Sequence, residues 1–313
     1  ALIAWNQAKE ASLFCNPKYL SLLNHRVKYL GGFKNEKLLA VWPILIGQND
    51  KYNVPPFSYY FGPFSLELYN SLPPYKAFKN HLELYNCLIK EALQIKKVLN
   101  FFLVPEFIDI RPFQWWNYNK LDKDHFKINL RYTAQYLLSK FNTQDEMLLT
   151  FRPDDKRKKL KKLLFSGDFY TIVDNEFDPL FLSSLYKETV SNSGGDVSNN
   201  DLNYLVSILK IGKENILSDP KIIIVLLKSK KYNSVQGFQL LFVGKKRCYA
   251  IAQAVTDYAR KASASIILSS FSIELSKKIG CEIFDFNGAN SPKRGDDKHA
   301  FGAYTVPYIE LSI

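Results

Sequence analysis

Groups able to bind or move protons crowd the end of the chain. Asp285, Asn287, Asn290, Ser291, Arg294, Lys298 and His299 all lie on or just after a short apolar run, residues 281–286. So many convergent polar groups at a buried strand end read as a working loop rather than a solvated turn. Arginine offers planar, bidentate recognition of phosphate, and lysine a point charge. His299 has the most suitable ordinary pKa for proton transfer, although a surface loop histidine is the plainer reading. Asp285 is either a general base or a structural carboxylate inside a sheet. Asp257 is a second carboxylate to weigh beside it.

Three further clusters could hold an anion. Arg260-Lys261-Ala262-Ser263-Ala264-Ser265 stands at an expected helix start. Small residues there permit close backbone approach, and unpaired N–H groups with the helix dipole favour phosphate. The alternative is an ordinary helix start with small residues for packing. Arg152 and the run 156–162 suit a phosphate cradle, a nucleic-acid patch or a solvated face. Arg152, Lys156 and Lys159 share one face, while Lys158 and Lys161 read as solvated. Tyr60, Arg111, Trp115 and Trp116 suit either a nucleobase with its phosphates or a buried core. Metal is not expected, because the cysteines (15, 87, 248, 281) and histidines (25, 81, 125, 299) are scattered without ligand spacing.

The composition bounds the possibilities. The 313 residues exceed one ordinary core, so two domains are expected. A net charge of +12 favours anionic partners without saying which. No usual RNA-binding motif is present. Nor is a basic amphipathic helix with exposed Trp or Phe expected. The longest apolar run, 222–227, is far too short to span a bilayer, and without a signal-peptide pattern a cytoplasmic location is expected.

The elements that must position these residues read as two copies of one order. In the first half, a helix opens at Asn16-Pro17, strands cover 27–33 and 37–46 around a turn at 34–36, a helix runs from Pro73-Pro74 to about 97, and a strand follows at 100–104. Leu82, Tyr85, Leu88, Ile89 and Ala92 are the expected stripe of that helix. A strand over 126–138 closes the half, with the boundary near 139–142. In the second half, helices are expected over 147–164 and 180–191, strands at 222–227, 235–243 and 247–255, a helix over 262–278 ended by Gly280, and a strand at 281–286. Leu160, Leu163 and Leu164 form the buried stripe of the first of these helices. Ala264, Ile267, Leu268, Phe271 and Leu275 lie on one face of the last.

The tail Phe284-Asp285-Phe286-Asn287-Gly288, followed by Phe301-Gly302, resembles the FemABX-like branch of the GNAT superfamily. Arg152 with the 156–162 run resembles that family's Arg-rich helix opening the second domain. Tyr60-Phe61-Gly62-Pro63 and Asp109-Ile110-Arg111-Pro112-Phe113 resemble its YxGP and aromatic-Arg segments. The branch often has Glu where this chain has Asn287.

The resemblance implies an α/β (α+β) chain of two GNAT domains, each a mixed, mostly antiparallel sheet flanked by helices. These are expected at 1–140 and 141–313, the second carrying an acyl-CoA site at 260–265. It implies acyl or aminoacyl transfer to an amine, with the pantetheine arm lying where the strands 247–255 and 281–286 splay. Asn287, Asn290 and Ser291 would orient a sugar or the attacking amine. Acyl-CoA is the expected co-substrate, and the expected acceptor is a nucleotide-linked, dTDP-type amino-deoxy sugar for bacterial surface polysaccharide, with no nucleic-acid partner. A peptidoglycan ligase using aminoacyl-tRNA is the alternative. Such ligases usually carry a long helical hairpin, which residues 151–219 do not suggest. A non-enzymatic RNA- or membrane-surface-binding protein is the third reading.

Overall fold

The computed structural model describes every residue except 9–10, 24–25, 47–53, 67–72 and 216–219, and the side chains of Lys293 and Arg294. His25 thus lies outside the described residues. Two compact units emerge: Ala1–Arg131 with Pro307–Ile313, and Tyr132–Val306.

In the first unit, α1 (Leu2–Gln7) and α2 (Pro17–Leu22) lead into β1 (Val27–Lys34) and β2 (Lys37–Leu45). Asn16 caps α2 by accepting from the amides of Lys18 and Tyr19. Asn35 and Glu36, both at positive φ, make the two-residue turn between the strands. β3 (Phe64–Ser65) adds to β2. α3 (Pro74–Ile95) covers β1 and buries Leu84, Tyr85, Leu88, Ile89 and Ala92; Leu84 takes the place expected of Leu82, which is half-buried. β4 (Asn100–Phe102) and α4 (Arg111–Gln114) follow, then β5 (Lys127–Leu137). Trp42, Tyr85, Phe101 and Phe113 pack edge-on or tilted in the aromatic core.

The second unit begins inside β5. α5 (Gln144–Thr150) and α6 (Lys158–Ser166) are two helices where one was expected. Phe151 and Arg152 are extended, as Pro153 demands of the residue before it, and a single π-type turn (Pro153–Arg157) restarts the helix. β6 (Phe169–Val173), α7 (Pro179–Ser191) and α8 (Asn199–Glu214) come next; β6 and α8 were not expected. α7 packs on β9 and α8 on β7, so the helix pair belongs to the packed unit and is not a projecting arm. β7 (Lys221–Ser229), β8 (Ser234–Gly244) and β9 (Arg247–Val255) form the meander. The run Ile222 to Leu227 is buried on both faces, as a central strand must be. α9 (Asp257–Lys261), α10 (Ser265–Lys278), β10 (Ile283–Asp285), α11 (Pro292–His299) and β11 (Tyr304–Ser312) complete the chain.

The strand order within this unit is β5-β10-β9-β8-β7-β6, and β10–β9 is its parallel pair. α10 lays a serine-rich face on the sheet: Ser269 receives a hydrogen bond from Gln253, and Ser272 donates to Gln239. Phe271 and Leu275 are only half-buried, because these small polar residues take the inner face. Gly280, at φ +86°, ends the helix as expected.

The order β1, β2, β3, α3, β4 thus recurs as β7, β8, β9, α10, β10, with the short α9 added before α10. The final residues of β11 pair with β4 and go with the first unit, which a cut near 139–142 does not capture. No helix among the described residues is long and apolar enough to cross a membrane.

Candidate active site

β9 and β10 run side by side for three pairs, the last being Asp285 opposite Tyr249, and then part. The chain beyond β10 stays with β5. Phe286 donates its amide to Ala134 O at 2.9 Å, and Ala289 donates to Tyr132 O at 2.8 Å. β9 continues to Val255 with a bulge: Ala250 faces Leu241 and Ala252 faces Leu240, so Ile251 has no opposite number. A bulge bends its strand and re-aims backbone groups. The result is a wedge, with β9 as one wall and residues 286–289 as the other. Among the described residues no strand fills it.

Asp285 sits at the apex, fully buried. Thr133 Oγ1 donates to Oδ1 at 2.5 Å, Gln135 Nε2 to Oδ2 at 3.0 Å, and the Asn287 amide to Oδ1 at 2.8 Å. Three donors and no exposure make it an anchor rather than a base awaiting an amine, which corrects the catalytic reading. The Thr133/Gln135 pair was missed. Its signal was the polar row at period two along β5, Lys127, Asn129, Arg131, Thr133 and Gln135, which runs on into the buried end of the strand.

The anchor holds Asn287 in the left-handed region, at φ +54°. Asn287 Nδ2 crosses the wedge and donates to Ala250 O at 2.8 Å. Lys298 Nζ donates to the carbonyls of Asn287 and Gly288, the latter at 2.7 Å. Asn287 Oδ1 is buried and has no hydrogen-bond partner. A buried, unsatisfied acceptor is costly and is rarely kept without a ligand or function. Asn290 is committed elsewhere, its Oδ1 accepting from the Tyr132 amide at 2.7 Å. Ser291 is exposed and precedes α11, so the expected open loop over 287–299 is half helix. Arg294 lies on that helix with its side chain outside the described residues.

α11 is pinned by the basic residues of the second unit. Arg152 Nη2 donates to Asp296 Oδ1 at 2.9 Å, and the Arg152 amide to Ala300 O at 2.8 Å. Lys156, buried, pairs with Asp297 at 2.5 Å and lies 4.8 Å from the Phe301 ring centre. Arg157 donates to the carbonyls of Leu148, Leu149 and Phe151, closing the end of α5. Gly302, at φ +82°, leaves no room for a side chain, since a Cβ there would stand 2.8 Å from Thr150 O. Among the described residues, the acid that Lys159 pairs with is Asp155 on its own turn of chain. The shared face expected for Arg152, Lys156 and Lys159 therefore does not form, because the π-type turn rotates the first two towards α11. Asp296 and Asp297, their partners, were not picked out from the sequence. His299 lines a shallow cavity of about 470 Å³ with Arg152, Arg157 and Asp296. Both its ring nitrogens are occupied, Nδ1 by Ala303 O at 2.8 Å and Nε2 by Thr305 Oγ1 at 3.1 Å. His299 is thus tied into the turn after α11.

The expected phosphate site is not formed as expected. Ser263, at φ +61°, folds the chain back on α9. The amides of Ala262, Ser263, Ala264, Ile266 and Ile267 each donate to a backbone carbonyl, at 2.8–3.2 Å. Arg260 pairs with Asp257 one turn away on the exposed face of α9. Lys261, the last residue of α9, is exposed.

In the first unit, Tyr60 is core, edge-on to Tyr308 at 5.2 Å between ring centres. Arg111 is held bidentately by Asp109 at 2.7 and 2.8 Å and lies over Phe78 and Trp115. That pairing holds the Asp109 carboxyl below the usual range. Trp116 is half-buried. The cationic charge that a nucleotide phosphate would need is therefore already matched within the cluster. Among the described residues, no group of three acidic, histidine or cysteine side chains could hold a metal.

No protein-family model matches the sequence, and no curated protein matches it. Solved structures do match. FemX superposes with a TM-score of 0.67, covering 98% of this chain and 94% of that one at 13% identity. The chain has a tandem GNAT-like fold. L-PGS from Bacillus licheniformis matches at a TM-score of 0.55, with 99% and 89% covered and 13% identity. A tandem GNAT protein from the clavulanic acid biosynthesis pathway matches at 0.50, with 92% and 83% covered and 8% identity. The likeness is one of fold.

Proposed function

We propose that the chain is an N-acyltransferase joining an activated acyl group to an amine in the β9–β10 wedge. The observation that carries this is Asn287: its amide bridges the wedge to Ala250, while its Oδ1 is buried without a partner. An incoming amine N–H would satisfy that oxygen and be aimed at an acyl carbon lying along β9. Backbone N–H groups of the bulged stretch would face the oxyanion of the tetrahedral intermediate. The C–N bond forms, the bond from carbonyl carbon to leaving group breaks, and the amine proton passes through water to the leaving group. Asn287 is a neutral amide and positions the amine without taking its proton.

Two donors are open to such a site. An aminoacyl ester of tRNA is the better fit, because the start of α10 spends its amides on carbonyls where a CoA pyrophosphate would need them free. The likeness to FemX is one of fold and fits either donor. The acyl-CoA and dTDP-amino-sugar reading is the alternative, and the matched Arg111–Asp109 pair weakens its nucleotide site. One experiment separates them. The chain is incubated with an aminoacyl-tRNA pool and a peptidoglycan-precursor amine, and in parallel with a matrix of acyl-CoAs and nucleotide amino sugars. Amide product from the first mixture alone is expected. Free CoA released in the second, with silence in the first, would overturn the donor assignment.

A further inference from the structure

α6 carries a face that the acyl-transfer site does not use. Lys158, Lys161, Lys162 and Phe165 recur at helical spacing, opposite the buried Leu160 and Leu163. No acidic side chain pairs with Lys158, Lys161 or Lys162 among the described residues. Phe165 is 95% exposed, and its neighbour Leu164, expected in the buried stripe, is 46% exposed. A basic helix with exposed aromatic surface was not expected; α6 supplies one because its Leu stripe is narrow.

A second element completes the patch. Gly167 ends α6, and Asp168 fastens the tip of the β7–β8 hairpin beside it. The Asp168 carboxylate accepts from Ser229 Oγ at 2.9 Å, the Lys231 amide at 3.0 Å and Tyr258 Oη at 2.7 Å, while its carbonyl accepts from the Lys230 amide at 2.8 Å. A Cβ built on Gly167 would stand 4.0 Å from Lys230 Nζ. Lys230, Lys231 and the 52%-exposed Tyr232 therefore adjoin the end of α6. Lys158, Lys161, Lys162 and Phe165 thus lie along α6, Lys230, Lys231 and Tyr232 stand at the hairpin tip beside its C-terminal end, and the Asp168 carboxylate between them is already engaged.

We propose that this patch docks the protein on an anionic lipid bilayer. Lysine ammoniums are drawn to acidic headgroups, and rings such as Phe165 and Tyr232 enter the interfacial layer beneath them. Single-stranded nucleic acid would instead need a groove with stacking platforms. Here the basic residues stand on the outward face of a helix and the tip of a hairpin. This inference is independent of the acyl-transfer reading, and its test involves no turnover.

The test is co-sedimentation of the full chain with vesicles of phosphatidylcholine alone or with about 30% phosphatidylglycerol, at about 50 mM salt. Binding is expected with the anionic vesicles only, and is lost at about 1 M salt. Lys162→Gln weakens it about fivefold and Phe165→Ser roughly tenfold, with unchanged melting temperatures since both side chains are exposed. Phe165→Trp shows a blue-shifted emission on the anionic vesicles. Failure to sediment at low salt overturns the proposal, as does binding that Phe165→Ser and Lys162→Gln leave unchanged. Salt-sensitive RNA binding lost in Lys162→Gln, without vesicle binding, assigns the patch to nucleic acid instead.

Discussion

Asn287 donates its side-chain amide to Ala250 O at 2.8 Å, across the point where β10 leaves β9. Its backbone is left-handed, which asparagine tolerates better than other L-residues and glycine tolerates freely. Asn287→Ala should therefore lose both the bridge and the favourable backbone, at a cost of about 2 kcal/mol. Asn287→Gly loses only the bridge and should melt at a higher temperature than Asn287→Ala. Equal melting temperatures would show that the backbone at 287 is not the strained element.

Asp285 is the anchor of that arrangement. Asp285→Asn replaces one acceptor by an N–H facing donors from Thr133, Gln135 or Asn287. The expected loss is about 3 kcal/mol, read by denaturant unfolding. If Asp285 were instead a catalytic base, the variant would be nearly as stable as wild type and simply inactive.

Lys156 and Asp297 differ in burial, and this makes their substitution asymmetric. Asp297→Ala leaves a buried ammonium without its partner and should cost about 2–3 kcal/mol. Lys156→Met leaves an exposed carboxylate and keeps the packing against Phe301, so it should be nearly neutral. Thermal melts of the two variants check the order; the reverse order would mean that the pair does not hold α11.

Asp168 should mark the acid limb of stability. The Tyr258 hydroxyl first, then the Lys231 amide and the Ser229 hydroxyl, hold its carboxyl below the usual range. A depressed folded-state pKa gives stability that is present above the unfolded value, about 3.9, and lost as pH falls through the folded one. Acidification below about pH 4 should thus weaken the fold, and Asp168→Asn should flatten that limb. The same contact pushes Tyr258 up to about 12, so its share disappears only at strongly alkaline pH. An acid limb unchanged in Asp168→Asn would contradict this.

The sequence showed much of the frame and less of the site. The meander β7–β9 was legible because its apolar runs are bounded by turn residues, and α3 because proline starts it and a stripe follows. β6 was missed because its exposed Tyr170 and Val173 weaken the alternation. The break between α5 and α6 was missed because the charge run after Pro153 reads as one helix. At the site, the tail drew attention to Asp285, Asn287 and His299, but roles depended on partners brought from far along the chain. Thr133 and Gln135 turn Asp285 into an anchor, and Ala303 and Thr305 occupy His299. Ser263 closes the phosphate loop through a left-handed turn that its residue type does not announce.

The rate of amide formation in Asn287→Gly against wild type tests the role given to the Asn287 side chain, its unpartnered Oδ1 together with its bridge to Ala250. Glycine accepts the left-handed backbone, so the wedge survives while the unpartnered oxygen is gone. With the same donor and amine, transfer should fall by about 100-fold or more, with the variant still folded at the assay temperature. Transfer at the wild-type rate would contradict the account and move the acceptor amine out of the β9–β10 wedge.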